Sequence, residues 1–375
     1  MKNGYCLGFF LLLFVFTNAQ LIDRAATDET VGLYNKLKSW SSKGVLFGHQ
    51  HAREYGHGWE DRKNTSDVKL VTGSNPAVIG FDFMVFDDKD PDKKDRGIKQ
   101  MRKLMADTYD RGGVVTIAWH AANPVLSLNG TDKGNGFNWE EGYSKLAVAE
   151  ILPGAPFNVV FKAKLKVIGE FVKSVKGKDG KPVPMIFRPF HEMDGSWFWW
   201  GRTHRTAEEY KELWKFTVQY LRDSLNVHQF IYAYSPDCSF QSKQAYLEDF
   251  PGTDFVDLVG MDNYNDLGRY GKYDIEAAKK KLQILGEVGK EFNKLIALTE
   301  TGLESIVKND WYTTVLLPLL KDSKLPITYV LVWRNDIYSA THFYAPYPGH
   351  ASVPDFIKFY NDPYTIFESD LKPAQ

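Results

Sequence analysis

Apolar and polar positions alternate along the chain in blocks that predict eight strands separated by helices. Each predicted strand is a short run of apolar or β-branched residues bounded by turn residues. The eight runs are residues 45–47, 77–83, 114–120, 185–192, 230–237, 256–264, 295–301 and 327–335. Continuous apolar runs of this kind are typical of parallel strands, because helices cover the outer face of a parallel sheet.

The segments between these runs carry apolar residues at the spacing of helices that bury one face. The predicted helices are residues 93–111, 157–174, 207–225, 274–292 and 311–321. Thr206 followed by Glu209 resembles a capping box at the start of the third of these helices. The chain is therefore predicted to form a single α/β domain, a (β/α)8 TIM barrel. A doubly wound open sheet is the alternative, but no Gly-x-Gly-x-x-Gly motif follows the first strand.

The first twenty residues have the pattern of a secretory signal. Lys2 precedes an unbroken apolar run at 7–16, and Thr17-Asn18-Ala19 supplies small residues for cleavage. The run is shorter than the ~20 apolar residues of a membrane span. We expect a signal peptide at 1–19, a barrel at 20–375, and export to the periplasm or the extracellular medium without membrane insertion. A buried N-terminal helix is the alternative.

Composition narrows the possible partners. The chain has 46 Lys+Arg against 47 Asp+Glu and a formal charge of −1, so it offers no electrostatic footprint for nucleic acid. Of its two cysteines, Cys6 lies in the predicted signal, which leaves Cys238 without a partner for an internal disulfide. The 25 Phe, 20 Tyr and 10 Trp are more rings than a core alone needs. The oligomeric state cannot be predicted, and a monomer is the default expectation.

Polar side chains gather where the predicted strands end, which is where a TIM barrel builds its active site. Glu192 and Glu300 end the fourth and seventh runs. Glycoside hydrolysis needs two carboxyl groups that flank the scissile bond, about 5–5.5 Å apart for retention and ~6.5–9.5 Å for inversion. Aromatic residues at the same strand ends are suited to the apolar faces of sugars, and we expect at least one residue of 197–200 in the site. These aromatic residues are Trp119, Trp139, Trp197, Phe198, Trp199, Trp200, Tyr264, Trp333 and Tyr338.

A metal site is the alternative interpretation of the histidines. His49 and His51 end the first run, and His120 and His191 offer further nitrogen ligands. The fifth and sixth strands, however, end in carboxyl and amide groups where binuclear hydrolase barrels need nitrogen ligands. No His-Glu-x-x-His motif or paired Cys-x-x-Cys motif occurs. We therefore predict no metal.

The segment from Arg188 to Gly201 reads Arg-Pro-Phe-His-Glu-Met-Asp-Gly-Ser-Trp-Phe-Trp-Trp-Gly and resembles the acid/base segment of glycoside hydrolase family 26, the β-mannanase family. Five other motifs occur in the order of that family. They are Gly48-His49-Gln50, Trp119-His120, Gly260-Met261-Asp262-Asn263-Tyr264, Leu298-Thr299-Glu300-Thr301-Gly302 and Val332-Trp333-Arg334-Asn335. The resemblance implies a TIM barrel that hydrolyses β-1,4-mannosidic bonds with retention and without a cofactor.

The resemblance also implies a role for each matching residue. Glu192 would be the acid/base and Glu300 the nucleophile, while Tyr264 would donate a hydrogen bond that orients Glu300. His191 and Trp197 would border the scissile bond. The donor-side sugar subsites would be lined by His120, Trp139, Trp333 and Arg334.

Two further residues of these motifs are interpreted from their chemistry. Asp262 is expected to orient the groups around the catalytic pair. Arg188 either helps to keep a carboxylate charged or forms a structural ion pair inside the barrel.

Substrate and mode of action stay open at this point. The predicted partner is a β-mannan polysaccharide or a manno-oligosaccharide, but the same family contains β-1,3-1,4-glucanases and β-1,3-xylanases. Cutting inside the chain is the expectation, and release of mannobiose from an end is the alternative. That choice depends on whether loops 53–66 and 127–139 wall off the groove. A non-catalytic glycan-binding barrel would keep the rings but has no need of both carboxylates.

Overall fold

The computed structural model describes residues 21–125, 136–137 and 146–371. Within these residues eight parallel strands are hydrogen-bonded in chain order, and the last pairs with the first, with Leu46 beside Tyr329. This closed barrel confirms the predicted (β/α)8 fold. The strands are β1 (Val45–Gln50), β2 (Val78–Asp82), β3 (Val114–Trp119), β4 (Met185–Pro189), β5 (Phe230–Tyr234), β6 (Leu258–Asn263), β7 (Leu295–Thr301) and β8 (Ile327–Val332).

Helices surround the barrel and cover the outer face of its strands. They are α1 (Asp28–Ser41), α2 (Asp67–Thr72), α3 (Pro91–Asp110), α4 (Ala147–Ile151), α5 (Asn158–Ser174), α6 (Ala207–Gln219), α7 (Lys243–Tyr246), α8 (Ile275–Phe292), α9 (Leu317–Ser323) and α10 (Val353–Tyr360). Two π-helical turns, Tyr220–Ser224 and Tyr312–Leu316, continue α6 and precede α9. None of the described helices is both long and apolar enough to cross a bilayer.

Helix α6 shows how local sequence fixes the outer layer. The Thr206 hydroxyl accepts from the Glu209 N–H at 3.2 Å, and the Glu209 carboxylate accepts from the Thr206 N–H at 2.6 Å. This is the predicted capping box, and it satisfies two N–H groups that have no partner within the helix. Tyr210, Leu213 and Trp214 are fully buried on the inner face of α6, as their spacing predicts.

The fourth strand ends where the sequence places its proline. Strand β4 ends at Pro189, and the next residues turn sharply, with φ of 48° at Phe190 and 52° at Glu192. Positive φ is unfavourable for residues with a Cβ, so the surrounding structure must hold this turn in place. The Glu192 N–H is hydrogen-bonded to the carbonyl of Ser235 at 2.9 Å, which ties the turn to the end of β5. The predicted run 185–192 is thus part strand and part site.

A short additional strand covers the opposite end of the barrel. Thr365–Ile366 pairs in parallel with Val45 and Leu46 at the beginning of β1. The ring of Phe367, the next residue, is fully buried and stacks on Phe47 at 5.0 Å between centroids. Phe47 and Phe367 belong to the layer between strands and helices. The beginning of the barrel is also covered by α1, whose Leu33, Tyr34 and Leu37 pack in one cluster with Leu46 of β1 and Ile231 of β5.

Candidate active site

The carboxyl ends of the strands surround a cleft of about 780 Å³. Nine residues were predicted for the site from the sequence, and eight of them line this cleft. They are His120, His191, Glu192, Trp197, Tyr264, Glu300, Trp333 and Arg334. The ninth, Trp139, lies outside the described residues, as does most of loop 127–139. The structure thus brings together residues from five strand ends that are far apart in the chain.

Glu300, the second-last residue of β7, is buried and accepts hydrogen bonds from two donors. The guanidinium of Arg188 in β4 donates to its Oε1, and the hydroxyl of Tyr264 after β6 donates to its Oε2 at 3.0 Å. Burial raises the pKa of Glu300 to about 7, while the positive charge of Arg188 and the Tyr264 hydrogen bond act against that increase. Both donors favour the charged carboxylate and fix its direction.

Glu192, after β4, has a different environment. Its Oε2 accepts one hydrogen bond from the indole N–H of Trp197 at 2.7 Å, and the carboxyl group borders the cleft. Loss of water raises its pKa well above the ordinary value, and the negative charges of Asp262 and Glu300 raise it further. Glu192 is therefore the carboxyl of the pair that holds a proton more strongly.

Arg188 of β4 is hydrogen-bonded to two carboxylates, one on β6 and one on the adjacent β7. Besides its contact with Glu300, it donates to Oδ2 of Asp262 at 2.8 Å. The other oxygen of Asp262 accepts from the hydroxyls of Ser235 at 2.8 Å and Thr299 at 2.7 Å. Because Arg188 and Asp262 are both buried, their charges stabilise each other in place of water. Arg188 is thus both an ion pair inside the barrel and a direct donor to Glu300.

His120 and Arg334 are each fixed by a carboxylate. His120, after β3, pairs through Nδ1 with Oδ2 of Asp82 at 2.5 Å, and the imidazole lowers the pKa of that buried carboxyl. Arg334, after β8, donates to Oδ2 of Asp336 at 2.5 Å. Trp333 lies beside His120, with 5.8 Å between ring centroids. These side chains form one wall of the cleft.

The four consecutive rings 197–200 divide between cleft and core. Trp197 is 41% exposed and Phe198 is buried, and both line the cleft. Trp199 and Trp200 are fully buried, and their indole N–H groups donate to carbonyl oxygens of the chain. Two of the four rings, of which at least one was expected in the site, thus line the cleft.

Two other aromatic residues that the sequence groups with the site lie elsewhere. Trp119 is buried in the core between β3 and the helices and stacks on Phe161 at 6.2 Å between centroids. Its position inside a strand places its ring on the outer face of the barrel rather than at the strand end. Tyr338 is 85% exposed and is not part of the cleft wall.

Loop residues that the sequence analysis missed complete the cleft. They are Tyr55, Phe137, Asn265, Arg269, Tyr270, His342 and Tyr344. Most of them stand in loops, where no periodic pattern marks an inward-facing side chain. One signal was present, since Gly268 and Gly271 flank Arg269-Tyr270 and indicate an unusual turn after β6.

Three potential metal ligands lie close together in the same region. Among the described residues, His191, Asp262 and Glu300 place potential ligand atoms within 4.8 Å of one another. The guanidinium of Arg188, however, already donates to both carboxylates and offsets one of their two negative charges. Of the other candidate ligands, His51 and His120 pair with Glu54 and Asp82. His49 is buried and does not line the cleft. The donor set therefore fits a carboxylate–guanidinium network better than a metal centre.

Comparison with known proteins places this architecture in a family. The profile described as Glycosyl hydrolase family 26 matches residues 22–315. Among solved structures, a family 26 β-mannanase from Bacteroides ovatus is 39% identical with a TM-score of 0.83, covering 92% of this chain and 96% of that chain. The structure of GH26C from Muricauda sp. is 36% identical with a TM-score of 0.86, covering 94% of each chain.

A mannan endo-1,4-beta-mannosidase of Bifidobacterium adolescentis is 32% identical over 362 residues. The match covers 91% of this chain but only 35% of that relative, so the present chain spans about a third of its length. A mannan endo-1,4-beta-mannosidase of Bacillus subtilis is 25% identical, with 86% of this chain and 82% of the relative covered. The profile match and these likenesses show that the chain belongs to glycosyl hydrolase family 26.

Proposed function

We propose that this protein is a retaining endo-β-1,4-mannanase that cuts mannan, galactomannan or glucomannan. Family membership and the likeness to proteins named as mannan endo-1,4-beta-mannosidases support the substrate. The observation that carries the chemistry is the unequal pair of carboxyl groups in one cleft. Glu300 is held by two donors that favour its charged form, and Glu192 by one indole.

The proposed reaction has two steps, as in other retaining glycosidases. In the first, the Glu300 carboxylate attacks the anomeric carbon while Glu192 gives its proton to the glycosidic oxygen. The bond between that carbon and oxygen breaks, which leaves a mannosyl ester on Glu300 and releases the acceptor sugar. In the second, Glu192 takes a proton from water, and the resulting hydroxyl oxygen displaces Glu300 from the sugar.

The residues around the pair support this assignment of roles. Arg188 and Tyr264 stabilise the negative charge that Glu300 needs for attack. The Trp197 indole orients Glu192 toward the cleft. Trp197 and Trp333 offer flat rings to the apolar faces of a neutral polysaccharide, and this fits a protein with a formal charge of −1.

The substrate is tested by incubating the protein with galactomannan, mixed-linkage glucan and β-1,3-xylan and following product size over time. We expect cleavage of galactomannan alone, a rapid fall in viscosity, and a mixture of oligosaccharides. Release of mannobiose alone from the start would contradict endo action. Binding of the polysaccharide by the wild type without hydrolysis would instead favour a glycan-binding barrel.

The roles of the two carboxyl groups are tested separately. Glu300→Ala is expected to abolish hydrolysis, and the first product of the wild type should have the β configuration by NMR. Glu192→Ala should still form the mannosyl ester from an aryl mannobioside with a good leaving group, because that step then needs no proton. Added azide should restore its turnover and give a β-mannosyl azide. An α product, or full activity in Glu300→Ala, would overturn the mechanism.

We also propose that residues 1–19 are a signal peptide and that the protein acts in the periplasm or the extracellular medium. The support is the sequence pattern of Lys2, the apolar run at 7–16 and the small residues before Gln20. N-terminal sequencing of the exported protein should give Gln20 as the first residue. Protein that remains in the cytoplasm and keeps Lys2 would contradict the proposal.

A further inference from the structure

The loop after β6 presents an almost bare aromatic ring to the cleft. Tyr270 is 82% exposed, yet it lines the same cleft as Glu192 and Glu300. Its backbone lies in the left-handed region, with φ of 59° and ψ of 25°. That conformation is unfavourable for a residue with a Cβ, and a ring left in water gains nothing from burial. The stability of the free protein therefore does not account for a tyrosine at this position.

The loop that carries Tyr270 is held in one shape. Gly268 and Gly271 have φ of 123° and 72°, which a residue without a Cβ adopts readily. The Arg269 N–H is hydrogen-bonded to the carbonyl of Tyr264 at 3.1 Å, and the Gly271 N–H to that of Gly268 at 3.0 Å. The ring is thus presented by a fixed turn, so a ligand that contacts it does not have to order the loop.

Arg269 contacts both this ring and Tyr264, which is hydrogen-bonded to the predicted nucleophile. Its guanidinium carbon lies 5.4 Å from the centroid of the Tyr270 ring and 5.7 Å from that of Tyr264. The hydroxyl of Tyr264 in turn donates to Glu300. Tyr270 is therefore placed at a defined position relative to the predicted nucleophile.

The order of the strands tells which half of the cleft Tyr270 occupies. Strands β8, β1, β2 and β3 are neighbours, and the predicted donor-side residues His120 and Arg334 follow β3 and β8. Strands β4, β5, β6 and β7 form the other half, and Glu192 and Tyr270 follow β4 and β6. Tyr270 thus lies on the side of the acid that protonates the leaving sugar.

We propose that Tyr270 is a stacking platform for a mannose unit on the leaving-group side of the scissile bond. The inference rests on the proposed mannanase function. A tyrosine ring offers a flat apolar surface with only two side-chain torsions to order, which suits the C–H face of a pyranose. A unit bound there adds affinity for long substrates without contacting the reacting atoms.

The test compares Tyr270→Ala, Tyr270→Phe and the control Tyr338→Ala on two substrates. Mannohexaose can place sugars on both sides of the scissile bond, whereas an aryl β-mannobioside has no sugar on the leaving-group side. For Tyr270→Ala we expect kcat/KM on mannohexaose to fall roughly three- to tenfold, the size of a ring contact, mainly through KM. On the aryl mannobioside it should stay within about twofold of the wild type.

The two other variants separate stacking from other effects. Tyr270→Phe keeps the ring and should behave as the wild type on both substrates. Tyr338 is also nearly fully exposed, and because it is outside the cleft wall, Tyr338→Ala should change neither rate. Thermal unfolding of Tyr270→Ala should match the wild type, since the exposed side chain packs on little.

Three outcomes would overturn the proposal that Tyr270 is a stacking platform. One is an equal loss on both substrates, which would mean that Tyr270 acts through Arg269 and Tyr264 on Glu300. Another is no loss on mannohexaose, and the third is a Tyr270→Phe variant as impaired as Tyr270→Ala. A wild type that hydrolyses neither substrate would refute the proposed function itself, whereas an active wild type with an unaffected Tyr270→Ala refutes the platform alone.

Discussion

Two glutamates that share one cleft differ in what donates to them. Glu300 accepts from a guanidinium and a phenol, while Glu192 accepts from a neutral indole. Hydrogen bonds from a charged donor favour the ionised carboxylate most strongly. When the pair holds one proton, that proton is therefore expected on Glu192. Both residues are glutamates, so their different surroundings decide which one acts as the acid and which as the nucleophile.

This asymmetry predicts a bell-shaped dependence of kcat/KM on pH. Activity should fall as the pH drops below about 7, because Glu300 then gains a proton and cannot attack. It should fall again at higher pH, where Glu192, whose pKa is raised well above the ordinary value, loses the proton that it must donate. Rates on a soluble manno-oligosaccharide across the acidic, neutral and alkaline range check this. Because the two carboxyl groups interact, the apparent pKa values of the two limbs describe the pair rather than either residue alone. A flat profile through neutral pH would contradict the prediction.

Arg188→Met is predicted to shift the acidic limb to higher pH. Without the guanidinium, Glu300 loses its nearest positive charge and its pKa rises further. The change also leaves the buried carboxylate of Asp262 without its cation, so the free energy of unfolding should fall by about 3–5 kcal/mol. The measurements are the pH profile and denaturant unfolding.

Arg53→Met is the matched control for that variant. Arg53 is a buried arginine that pairs with Asp107 at 2.6 Å, and it does not line the cleft. Its loss should reduce stability while the acidic limb stays in place. If both variants shift the limb equally, the shift reports general destabilisation and the role of Arg188 is wrong.

At the level of elements, strands and helices could be predicted because their patterns are set by burial. Every apolar run became a barrel strand, and the five predicted helices match α3, α5, α6, α8 and α9 with their π-helical turns. The other five helices of the described residues were not predicted: α1, α2, α4, α7 and α10. The predicted strand ends were less accurate, since the run predicted for the fourth strand extends to Glu192, three residues beyond the end of β4. Sequence pattern marks where apolar residues must be covered, but backbone turns such as the one at Phe190 depend on contacts with other strands.

The site could be predicted only where its residues belong to strand ends. Glu192 and Glu300 terminate apolar runs, so the barrel rule places them together. Tyr55 and Tyr270 reach the same cleft from loops whose course depends on tertiary contacts. Among rings 197–200, the sequence could not tell that Trp197 faces the cleft and Trp200 the core. Adjacent residues of an irregular turn follow no fixed period.

Thr206→Ala is predicted to destabilise the protein through the start of α6. The substitution removes the hydroxyl that caps the Glu209 N–H, which costs about 0.5–2 kcal/mol. Thermal or denaturant unfolding measures the loss, and hydrolysis rates should be unchanged at temperatures where both proteins are folded. Thr206→Ser keeps the hydroxyl and should be close to the wild type. A serine variant as unstable as the alanine variant would exclude capping as the cause.

Over the whole molecule, the aromatic packing around β1 and the chemistry lie in different parts of the barrel. Phe47 of β1 packs with Phe356, Phe359 and Phe367 in the layer between the strands and the helices. The carboxyl ends of the strands hold the cleft with its buried charges. Substitutions in these two places should therefore differ in what they change.

Phe367→Ala is predicted to lower the free energy of unfolding by about 3–5 kcal/mol, because it leaves a cavity among fully buried rings. The value of kcat/KM for the folded fraction should stay the same, since Phe367 does not line the cleft. Phe367→Leu fills most of the space and should cost less. A loss of kcat/KM without a loss of stability would contradict this division of the barrel.

The closing contact between β1 and β8 also affects how the chain is made. While a ribosome extends the chain through β7, the strand that pairs with the far side of β1 has not yet been synthesised. Until then the growing sheet has two open edges, at β1 and at its newest strand, and open edges pair readily with other chains. Synthesis of β8 removes both edges in one step, because it pairs with β7 and β1 together. Protection from aggregation is therefore expected to arrive late in synthesis and all at once.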